Sequence, residues 1–485
     1  MHPRTQLAVI AAHIALTACH LAGRPGSSLP GRIALKIDPH IVSPLAAQVR
    51  RGIIVTCGTN GKTTTNNLLC SALEAQGFRV VSNRLGANMK EGVTAALATS
   101  ASPLGHLDAD YACLEIDEAS AVHILQYLQP DHMVITNLFR DQLDRYGEID
   151  LTMKALESAI RLAPPMTLVI NGDDPLTAYL SQKSGHRIVS FGVSEQITPE
   201  VKSSPEVDFS SGEVREGRFC ENCGAPLKYN FYHFSQLGVY HCPSCGFGRP
   251  KIDYDASRVR LSPQLSFDVI EAGAAPVDSS GIREFNPAPS GSSALRENEA
   301  APVRISAPLT GFYNVYNILA VYSVLRELNL PADKLNEVLR GYKPQFGRGE
   351  VFHVGEGAHQ KVLLNLAKNP AGFNQNITAM LQDRSAKDLI IVINDNAQDG
   401  RDVSWLWDVD FDRLADDTIC SITVSGLRAL DMQLRLKYVE IESVCAPTVE
   451  EAIGRCLADG CGNLYVLVNY TALYEAHQYL EGIQK

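Results

Sequence analysis

The 485-residue sequence has no uninterrupted apolar run of about 18 residues, no stripe of basic residues and no internal repeat. The first absence excludes a transmembrane helix, because spanning a bilayer needs about 20 apolar residues. The second, in a chain of formal net charge −11, argues against a nucleic-acid binder, since neutralising phosphates needs clustered Lys and Arg. The composition, 45% hydrophobic and 20% charged, is that of an ordinary folded protein, and the length predicts two or three domains.

A phosphate-binding loop is predicted at 56–63, where the chain reads T-C-G-T-N-G-K-T between a β-branched run and a helical pattern. Backbone N–H groups and the helix N-terminus would hold phosphate oxygens, Lys62 adds a positive charge, and the Thr63 hydroxyl can join a Mg²⁺ shell. Thr56 stands where the general pattern has glycine, and a chance match is the alternative. We expect Lys62 to lie on an exposed loop. The predicted ATP-binding residues here are Gly58, Thr59, Asn60, Gly61, Lys62, Thr63 and Thr64.

Four cysteines form two C-x2-C pairs with the separation of a zinc ribbon. Cys220 and Cys223 make the first pair and Cys242 and Cys245 the second; a glycine follows each, as tight metal-binding turns need. Two disulfides or four unrelated thiols are the alternatives. Both are weak in an enzyme that uses cytosolic ATP, because thiols stay reduced in the cytosol. We therefore predict that these four thiolates hold one tetrahedral Zn²⁺.

The segment from Leu7 to Leu21 is apolar and ends near Cys19 in a pattern that resembles a lipoprotein processing site. Secretion would separate the phosphate-binding loop from cytosolic ATP. The run also contains His13 and His20 and is too short to span a bilayer. One helix face collects apolar residues at Leu7, Ile10, Ala11, Ile14 and Ala18. We predict a retained helix that packs on the ATPase domain or rests near a membrane surface.

Strand-like and helix-like segments alternate from residue 52 to about 200 and again from 351, which predicts two α/β units with mostly parallel sheets. The predicted strands are 53–55, 79–82, 111–116, 132–136, 167–170, 187–190, 361–364, 389–393, 419–424 and 464–468. Helices are predicted at 63–76, 149–162 and 314–328. The predicted domains are an N-terminal helical segment (1–50), a central ATP-binding domain (51–345) and a C-terminal α/β domain (350–485) that contacts a partner. Within the central domain lie the ribbon at about 215–250 and a flexible loop at about 273–302.

The form G-T-N-G-K-T-T at 58–64 resembles the Mur ligase superfamily, whose members join carboxylates to amines through an acyl phosphate. A zinc ribbon inserted in such an ATPase is similar to the MurT family, the synthetase subunits of lipid II isoglutaminyl synthases. The resemblance covers the chain apart from 273–302. It implies an α/β fold in which a Mur-ligase-like P-loop ATPase domain, with an inserted four-cysteine zinc ribbon, precedes a second, Rossmann-like α/β domain.

Two polar segments follow strands of the central unit, where ligand sites of parallel sheets form. Glu115 ends one strand, matches a glutamate of the Mur ligases and is a candidate Mg²⁺ ligand and catalytic residue. The alternative, a carboxylate that caps the next helix, fits Asp117 and Glu118 better. The segment 136–144 resembles a Mur ligase motif in which Asn137 faces the nucleotide or the substrate carboxylate; a charged helix N-terminus is the alternative.

Two further segments are similar to Mur ligase motifs. In G-F-Y-N-V-Y-N-I-L-A at 311–320 two asparagines share one helix face, and the resemblance makes Asn317 the adenine contact. In G-R-G-E at 347–350 the resemblance implies that Arg348 approaches the ATP phosphates when the last domain closes. A surface ion pair is the alternative for this arginine.

The C-terminal unit departs from the amino-acid-adding Mur ligases. In N-L-A-K-N-P at 365–370, Asn365 and Lys368 stand where those enzymes have aspartate and histidine. This difference puts an amino-acid-adding function in doubt, whereas the MurT family has the form found here.

An acidic loop at 394–408 contains both tryptophans of the chain, which either anchor a partner surface or lie in the core. A free-standing glutaminase needs a nucleophilic cysteine on an exposed elbow, and no G-x-C-x-G occurs, so ammonia would have to come from another chain. The resemblance implies that an aspartate of this loop completes the partner's glutaminase site. Asp402 is the candidate catalytic residue, with Asp399 and Asp395 as alternatives.

The sequence therefore predicts an ATP-dependent carbon–nitrogen ligase. The resemblance implies that it amidates the D-glutamate α-carboxylate of the lipid II stem peptide to D-isoglutamine, with ammonia from a GatD-like glutaminase in a heterodimer. The predicted cofactors are ATP, Mg²⁺ and Zn²⁺; no nucleic-acid partner is expected, and the protein should be cytoplasmic and at most peripheral at the inner membrane face. The alternatives are an amino-acid-adding ligase of the Mur or folylpolyglutamate synthetase type and a ribbon ATPase linked to nucleic acid.

Overall fold

The structure of the protein is a computed structural model. It describes residues 1–484 apart from 24–25, 85–86, 141–148, 198–215, 263, 273–301, 343–346, 356–359 and 460–461. The predicted flexible loop at 273–302 therefore lies outside the described residues, except for residue 302. So does part of the segment predicted at 136–144.

Strands and helices alternate along most of the chain, as the sequence predicts. The strands are β1 (Gly52–Cys57), β2 (Val80–Ser82), β3 (Tyr111–Glu115), β4 (His132–Ile135), β5 (Thr167–Asn171), β6 (Arg187–Val193), β7 (Lys228–Phe234), β8 (Leu237–His241), β9 (Tyr254–Arg260), β10 (Leu265–Glu271), β11 (Val303–Ala307), β12 (Arg348–Val354), β13 (Gln360–Leu366), β14 (Lys387–Val392), β15 (Ile419–Ser425), β16 (Val444–Cys445) and β17 (Asn463–Val468).

The helices complete the description. They are α1 (Pro3–Leu21), α2 (Leu29–Ile37), α3 (Val42–Ala46), α4 (Lys62–Glu74), α5 (Lys90–Ser100), α6 (Ala121–Ile124), α7 (Ile149–Leu162), α8 (Pro175–Gln182), α9 (Tyr313–Glu327), α10 (Leu335–Gly341), α11 (Pro370–Gln382), α12 (Ala429–Tyr438), α13 (Val449–Asp459) and α14 (Tyr470–Ile483). All ten predicted strands are present, with ends that differ by at most three residues.

A nine-stranded sheet of order β11-β10-β9-β6-β5-β4-β1-β3-β2 forms the larger α/β unit. β1 lies between β3 and β4 and is parallel to both, so all three strands end at the same edge of the sheet. Its side chains alternate: Ile53 and Val55 belong to one core and Ile54 to the core on the opposite face. Helices α4 and α9 cover the second face, which explains why the strands read as continuous apolar runs.

The antiparallel part of this sheet was not predicted from the sequence. β9 continues the sheet in parallel from β6, and β10 and β11 then add two antiparallel strands at the edge. β9, β10 and β11 are only partly buried, whereas every residue of β1 and β5 is buried. These three strands therefore lack the continuous apolar run that marks a buried strand in the sequence.

A second sheet, of order β12-β13-β17-β14-β15-β16, forms the C-terminal unit. Every pairing from β13 to β16 is parallel, and β12 adds an antiparallel edge that begins at Arg348, between the limits predicted for the central and C-terminal domains. The predicted α/β fold class is confirmed, with two mainly parallel sheets. We retain the domain limits 51–345 and 350–485 as a proposal.

Helix α1 packs on α2 and α5, but it does so through a different face from the apolar one identified in the sequence. Ala8, Ala12 and Ala15 are buried, whereas Leu7 and Ile14 are 57% and 65% exposed. The small side chains lie against the neighbouring helices, and apolar periodicity alone does not tell which of two apolar faces packs inward. Within the described chain, no helix is both long and apolar enough to cross a bilayer.

Candidate active site at the carboxyl edge of the central sheet

The predicted phosphate-binding loop connects the carboxyl end of β1 to the N-terminus of α4. Gly58 and Gly61 have φ angles of +120° and +84°, in which a Cβ atom is strained. Space excludes a side chain as well: a Cβ at Gly58 would collide with Thr136 and Asn137, and one at Gly61 would collide with the Asn317 amide. The loop therefore has the tight, backbone-exposing form that phosphate binding needs.

The predicted nucleotide contact Asn137 follows β4 and lies against this loop. Its Oδ1 accepts a hydrogen bond from the Asn60 backbone N–H (2.9 Å), and its Nδ2 donates to the Asn60 carbonyl oxygen (3.0 Å). The Thr136 hydroxyl donates to the same carbonyl (2.7 Å). Both amide atoms thus fix the loop backbone. Direct contact of Asn137 with ATP stays a prediction.

Asn317, the predicted adenine contact, lies on α9 beside Gly61 of the loop. It is buried, and its Nδ2 donates to Asn314 Oδ1 (3.0 Å), as the shared helix face predicted. Thr65 of α4 donates its hydroxyl hydrogen to Asn317 Oδ1 at 3.4 Å. Asn317 therefore joins α9 to the first turn of α4, beside Gly61.

Thr63 and Glu115 meet as a pair of hard oxygen donors at the end of β3. The Thr63 hydroxyl donates to Glu115 Oε2 at 2.6 Å, and the Asn88 amide donates to Glu115 Oε1 at 3.0 Å. Asn83 bonds both backbone groups of Glu115, at 2.9 Å and 2.7 Å, which fixes the residue in position. A carboxylate and a hydroxyl beside a phosphate-binding loop fit a Mg²⁺ ion.

Lys62 is buried, so the expectation that it lies on an exposed loop is wrong. Its Nζ donates to Glu118 Oε1 at 3.0 Å and lies 3.4 Å from the Thr59 carbonyl oxygen. Burial alone would lower the pKa of Lys62, but the neighbouring carboxylates, Glu118 first, outweigh burial and raise it. Burial raises the pKa of Glu118. The interpretation of Glu118 as a helix cap is therefore wrong: its carboxylate pairs with Lys62.

The C-terminal unit contacts the phosphate-binding loop directly. Asn369 Nδ2 donates to Asn60 Oδ1 at 3.1 Å, and Asn60 Nδ2 lies 3.4 Å from Asn369 Oδ1. Asn369 also caps α11, since its Oδ1 accepts from the Gly372 N–H at 2.8 Å. A second link is the ion pair of Arg140 with Asp408 at 3.0 Å.

Arg348 lies at the first residue of β12, opposite Asn365 of β13. Asn365 accepts a hydrogen bond from the Gly349 N–H at 2.7 Å, so the side chain at this position fixes the β12 backbone. Among the described residues, Arg348 is in no ion pair, which disfavours the surface-ion-pair alternative.

The four predicted zinc ligands converge. The Sγ atoms of Cys220, Cys223, Cys242 and Cys245 all lie within 4.8 Å of one another, and none is in a disulfide. Gly224 and Gly246 adopt φ angles of +73° and +76° in the two turns. Burial would raise the pKa of Cys242, but hydrogen bonds from the Ser244 and Cys245 backbone lower it to about 7. Four sulfur ligands at this spacing can hold a metal ion, with no position left for substrate.

The ribbon hairpin β7–β8 is anchored on the central sheet. The Gln236 amide at its tip is fully buried and donates to the Leu138 carbonyl oxygen at 2.6 Å. Gly238 N–H donates to the Asp173 carbonyl oxygen at 2.9 Å, and Arg249 pairs with the Asp173 carboxylate at 2.6 Å. The four-cysteine ribbon therefore contacts the segment just after Asn137 through its hairpin.

The three candidate aspartates of the acidic loop at 394–408 differ in the contacts that they make. Asp395 pairs with Arg428 at 2.9 Å. Buried Asp399 accepts two hydrogen bonds from Thr471, at 2.7 Å and 2.5 Å. Asp402 accepts from the Ser404 N–H at 2.8 Å through Oδ1 and is only partly buried.

The two tryptophans of this loop have different environments: Trp405 lies in the core, and a partner-anchoring role for Trp407 stays a prediction. Trp405 is buried, with its ring 5.5 Å from that of Phe373. Trp407 is 50% exposed and packs edge-on against Tyr438 with ring centroids 5.0 Å apart.

Several polar residues of the site were missing from the sequence-based predictions. Asn83 and Asn88 come from the segment before α5, where no motif marks them, and only the fold brings them to Glu115. Glu118 was noted but interpreted as a cap. The density of acids in E-I-D-E at 115–118, at a strand end beside the loop lysine, was the available signal.

Each of the two α/β units matches a known protein family, and the chain as a whole is similar to known proteins. Residues 55–221 match the Mur ligase middle domain, and residues 366–473 match the family described as MurT ligase C-terminal. The chain is 35% identical to the lipid II isoglutaminyl synthase (glutamine-hydrolyzing) subunit MurT of Staphylococcus aureus, over 97% of this chain and 96% of that protein. It is 32% identical to the subunit of the same name from Streptococcus pneumoniae, over 100% of this chain and 98% of that protein.

Among solved structures, a pseudomurein peptide ligase type C from Methanothermus fervidus superimposes with a TM-score of 0.64. The match covers 91% of this chain and 80% of that one, at 20% identity. At this level of identity the likeness concerns the fold alone.

The buried pair of Lys62 and Glu118 gives a prediction about stability. Lys62→Met should lower the free energy of unfolding by about 3–5 kcal/mol, because it leaves a buried carboxylate without its partner. Lys62→Met/Glu118→Gln should recover most of that loss. The folded-state pKa of Glu118 lies above its unfolded value, so the deficit of the single variant should be larger at about pH 8 than at about pH 5. Calorimetric unfolding measures both effects, and equal stability of the single and double variants would contradict the prediction.

Proposed function

The chain belongs to the MurT family of Mur ligases, and from this premise we propose that it is the synthetase subunit of a lipid II isoglutaminyl synthase. In this proposal it uses ATP and Mg²⁺ to convert the D-glutamate α-carboxylate of the lipid II stem peptide to D-isoglutamine. A GatD-like glutaminase subunit, bound in a heterodimer, supplies the ammonia. The observation that carries the proposal is the direct contact of a MurT-type C-terminal unit with a phosphate-binding loop at Asn369 and Asn60.

The chemistry proceeds in two displacements because a carboxylate is a poor electrophile. A carboxylate oxygen attacks the γ-phosphorus, the bond to the ADP oxygen breaks, and an acyl phosphate and ADP form. The nitrogen lone pair of ammonia then attacks the acyl carbon. Phosphate leaves with the carbon–oxygen bonding pair, the nitrogen loses a proton, and the primary amide remains.

The charged groups around the loop divide the work of phosphoryl transfer. Thr63 and Glu115 would hold Mg²⁺, which when bound neutralises charge on the phosphates. Lys62 would exchange its Glu118 partner for phosphate oxygens and stabilise the charge of the transferring group. Because the Lys62 ammonium group already lies in a buried, oriented position, its side chain needs little reorganisation to reach the phosphate oxygens.

The remaining ATP contacts are proposed from the motifs and their places in the fold. The loop N–H groups from Gly58 to Thr64 would bind the phosphates. Asn137 contacts this loop and Asn317 contacts the first turn of α4, which supports a role at the nucleotide, and Arg348 would approach the phosphates from the C-terminal unit.

We assign Asp402 to the glutaminase site of the partner. Asp395 and Asp399 are occupied by contacts within the chain, and Asp402 is the least constrained of the three. A Cys–His pair gains from a third group that orients the imidazole, and a carboxylate on a surface loop can reach across an interface to do so.

An apolar patch beside this loop supports a docked partner. Trp407 and Tyr438 pack edge-on there, and Leu430 and Leu434 of α12 are exposed, two helical turns and one helical turn before Tyr438. Exposed tryptophan, tyrosine and leucine side chains on one surface are typical of a protein interface. Of this patch, Trp407 lies five residues after Asp402 along the chain.

The other parts of the proposal concern metal and location. The four ribbon cysteines would bind one structural Zn²⁺, because four protein ligands leave no open position for water. Use of ATP and of a lipid-linked precursor places the proposed activity in the cytoplasm, at the inner membrane face. The substitutions at Asn365 and Lys368 favour ammonia over an amino acid as the amine.

The first functional prediction concerns Lys62. Lys62→Met/Glu118→Gln should reduce ATP-dependent amidation by about 10²–10³-fold or more, because the variant loses charge stabilisation without leaving an unpaired buried carboxylate. Lys62→Ala should be at least as inactive. Lys154→Ala, at an exposed lysine on α7, is the matched control and should keep the wild-type rate. Amidation by the double variant near the wild-type rate would remove Lys62 from the mechanism.

The second prediction concerns the ribbon. Freshly purified protein should contain one zinc per chain by elemental analysis, and Cys223→Ser or Cys245→Ser should lower that ratio. Cys445→Ser, at a partly exposed cysteine outside the ribbon, should leave the ratio unchanged. Zinc-free protein prepared without chelator would disprove the assignment.

The third prediction concerns Asp402. Asp402→Asn should depress glutamine hydrolysis by the complex, while amidation driven by added ammonium survives, because the ATP site belongs to the other unit. Asp412→Asn, at an exposed aspartate outside the loop, should affect neither reaction. An equal fall in both reactions would assign Asp402 to the synthetase site instead.

A further inference from the structure

Helix α1 carries an apolar stripe that no described part of the chain covers. Leu7, Ile10, Ile14 and Leu21 follow at intervals of three, four and seven residues, so they lie on one side of the helix. All four are exposed, Leu21 at 86%. This set, the α1 stripe, is the reverse of an ordinary packed helix, because the large apolar side chains point outward.

The inward side of α1 explains this arrangement. Ala8, Ala12 and Ala15 are buried against α2 and α5, so small side chains hold the helix close to the domain. Thr5 donates to Asp38 at 2.7 Å, and His13 Nε2 bonds the Ala101 carbonyl oxygen at 2.8 Å. These polar contacts fix the rotation of the helix, and the stripe is held outward by the fold.

Neighbouring exposed side chains extend the apolar surface. The Gln6 amide donates to the Leu104 carbonyl oxygen at 3.2 Å, which brings Leu104, 75% exposed, beside the first turn of α1. Met1 is also exposed and lies next to Gly105. A contiguous apolar surface of this kind marks an interaction site, in contrast to single scattered residues.

The charged residues of the N-terminal segment indicate what kind of surface binds the α1 stripe. Residues 1–37 contain four basic residues, Arg4, Arg24, Arg32 and Lys36, and no Asp or Glu, in a chain of net charge −11. The first acidic residue, Asp38, is buried and bonded within the protein. An exposed apolar helix face, in a segment whose charged residues up to residue 37 are all basic, complements an anionic lipid surface.

We propose that the α1 stripe lies in the interface of an anionic phospholipid bilayer and holds the enzyme against it as a peripheral protein. The inference rests on the proposed function in one respect: a lipid-linked precursor presents its peptide at a bilayer surface. The fold connects the α1 stripe to the candidate active site. Helix α5 packs on α1, and Asn88, two residues before α5, donates a hydrogen bond to the candidate Mg²⁺ ligand Glu115.

Vesicle flotation with the full chain tests the proposal without substrate or partner, so its failure is distinct from failure of the amidation assignment. The wild type should bind vesicles of phosphatidylcholine with about 30% phosphatidylglycerol at least ~10-fold more strongly than vesicles of phosphatidylcholine alone. Binding should weaken as salt rises, since screening reduces the charge term. Leu7→Gln/Ile10→Gln/Ile14→Gln should reduce binding to the anionic vesicles by ~10-fold or more.

The matched control is Leu430→Gln/Leu434→Gln, which removes exposed apolar side chains from α12 and should bind vesicles like the wild type. Ile14→Trp provides a second variant that keeps the stripe apolar, and its fluorescence should shift to shorter wavelength when anionic vesicles are added. Absence of wild-type binding, equal binding by the triple variant, or loss of binding by the control would overturn the proposal. So would a dimer that sedimentation detects and the triple variant abolishes, because the stripe would then be a protein interface.

Discussion

Asparagine side chains from three separate parts of the chain hold the loop between β1 and α4. Asn137 bonds both backbone groups of Asn60, Asn317 closes against Gly61, and Asn369 bonds the Asn60 side chain. An amide suits this task because it donates and accepts at once yet carries no charge that competes for a phosphate. The orientation of the loop N–H groups, and with it the geometry of Thr63 and Lys62, depends on these contacts.

The ribbon adds support from outside the sheet. Its hairpin tip bonds the Leu138 carbonyl one residue beyond Asn137, so a cluster of cysteines far from the chemistry stabilises a residue that holds the phosphate loop. Through this connection the four-cysteine ribbon supports the loop without contributing a residue to it. The same segment continues to Arg140, which pairs with Asp408 of the C-terminal unit.

Local signals in the sequence predicted the parts of this structure that depend on local chemistry. The strands around the phosphate loop, the pairing of Thr63 with Glu115 and the convergence of the four cysteines follow from periodicity and motif spacing. Long-range contacts were not predictable in this way. Burial of Lys62 depends on Glu118 across the site, the inward face of α1 depends on Asp38 and Ala101, and Asn88 reaches Glu115 only through the path of the chain. The edge strands β10 and β11 lack a continuous apolar run, so only pairing with β9 identifies them.

The contact of Asn60 with Asn369 has a thermodynamic consequence. It exists only while the two α/β units are closed on each other, so whatever binds the closed form more tightly than the open form shifts the same equilibrium. ATP at the loop and a protein docked on the C-terminal unit would then act on one shared conformational variable. By thermodynamic reciprocity, ATP must tighten the binding of the docked protein by the same factor by which that protein tightens the binding of ATP. A synthetase built in this way can couple the supply of its two reactants without a dedicated regulatory site.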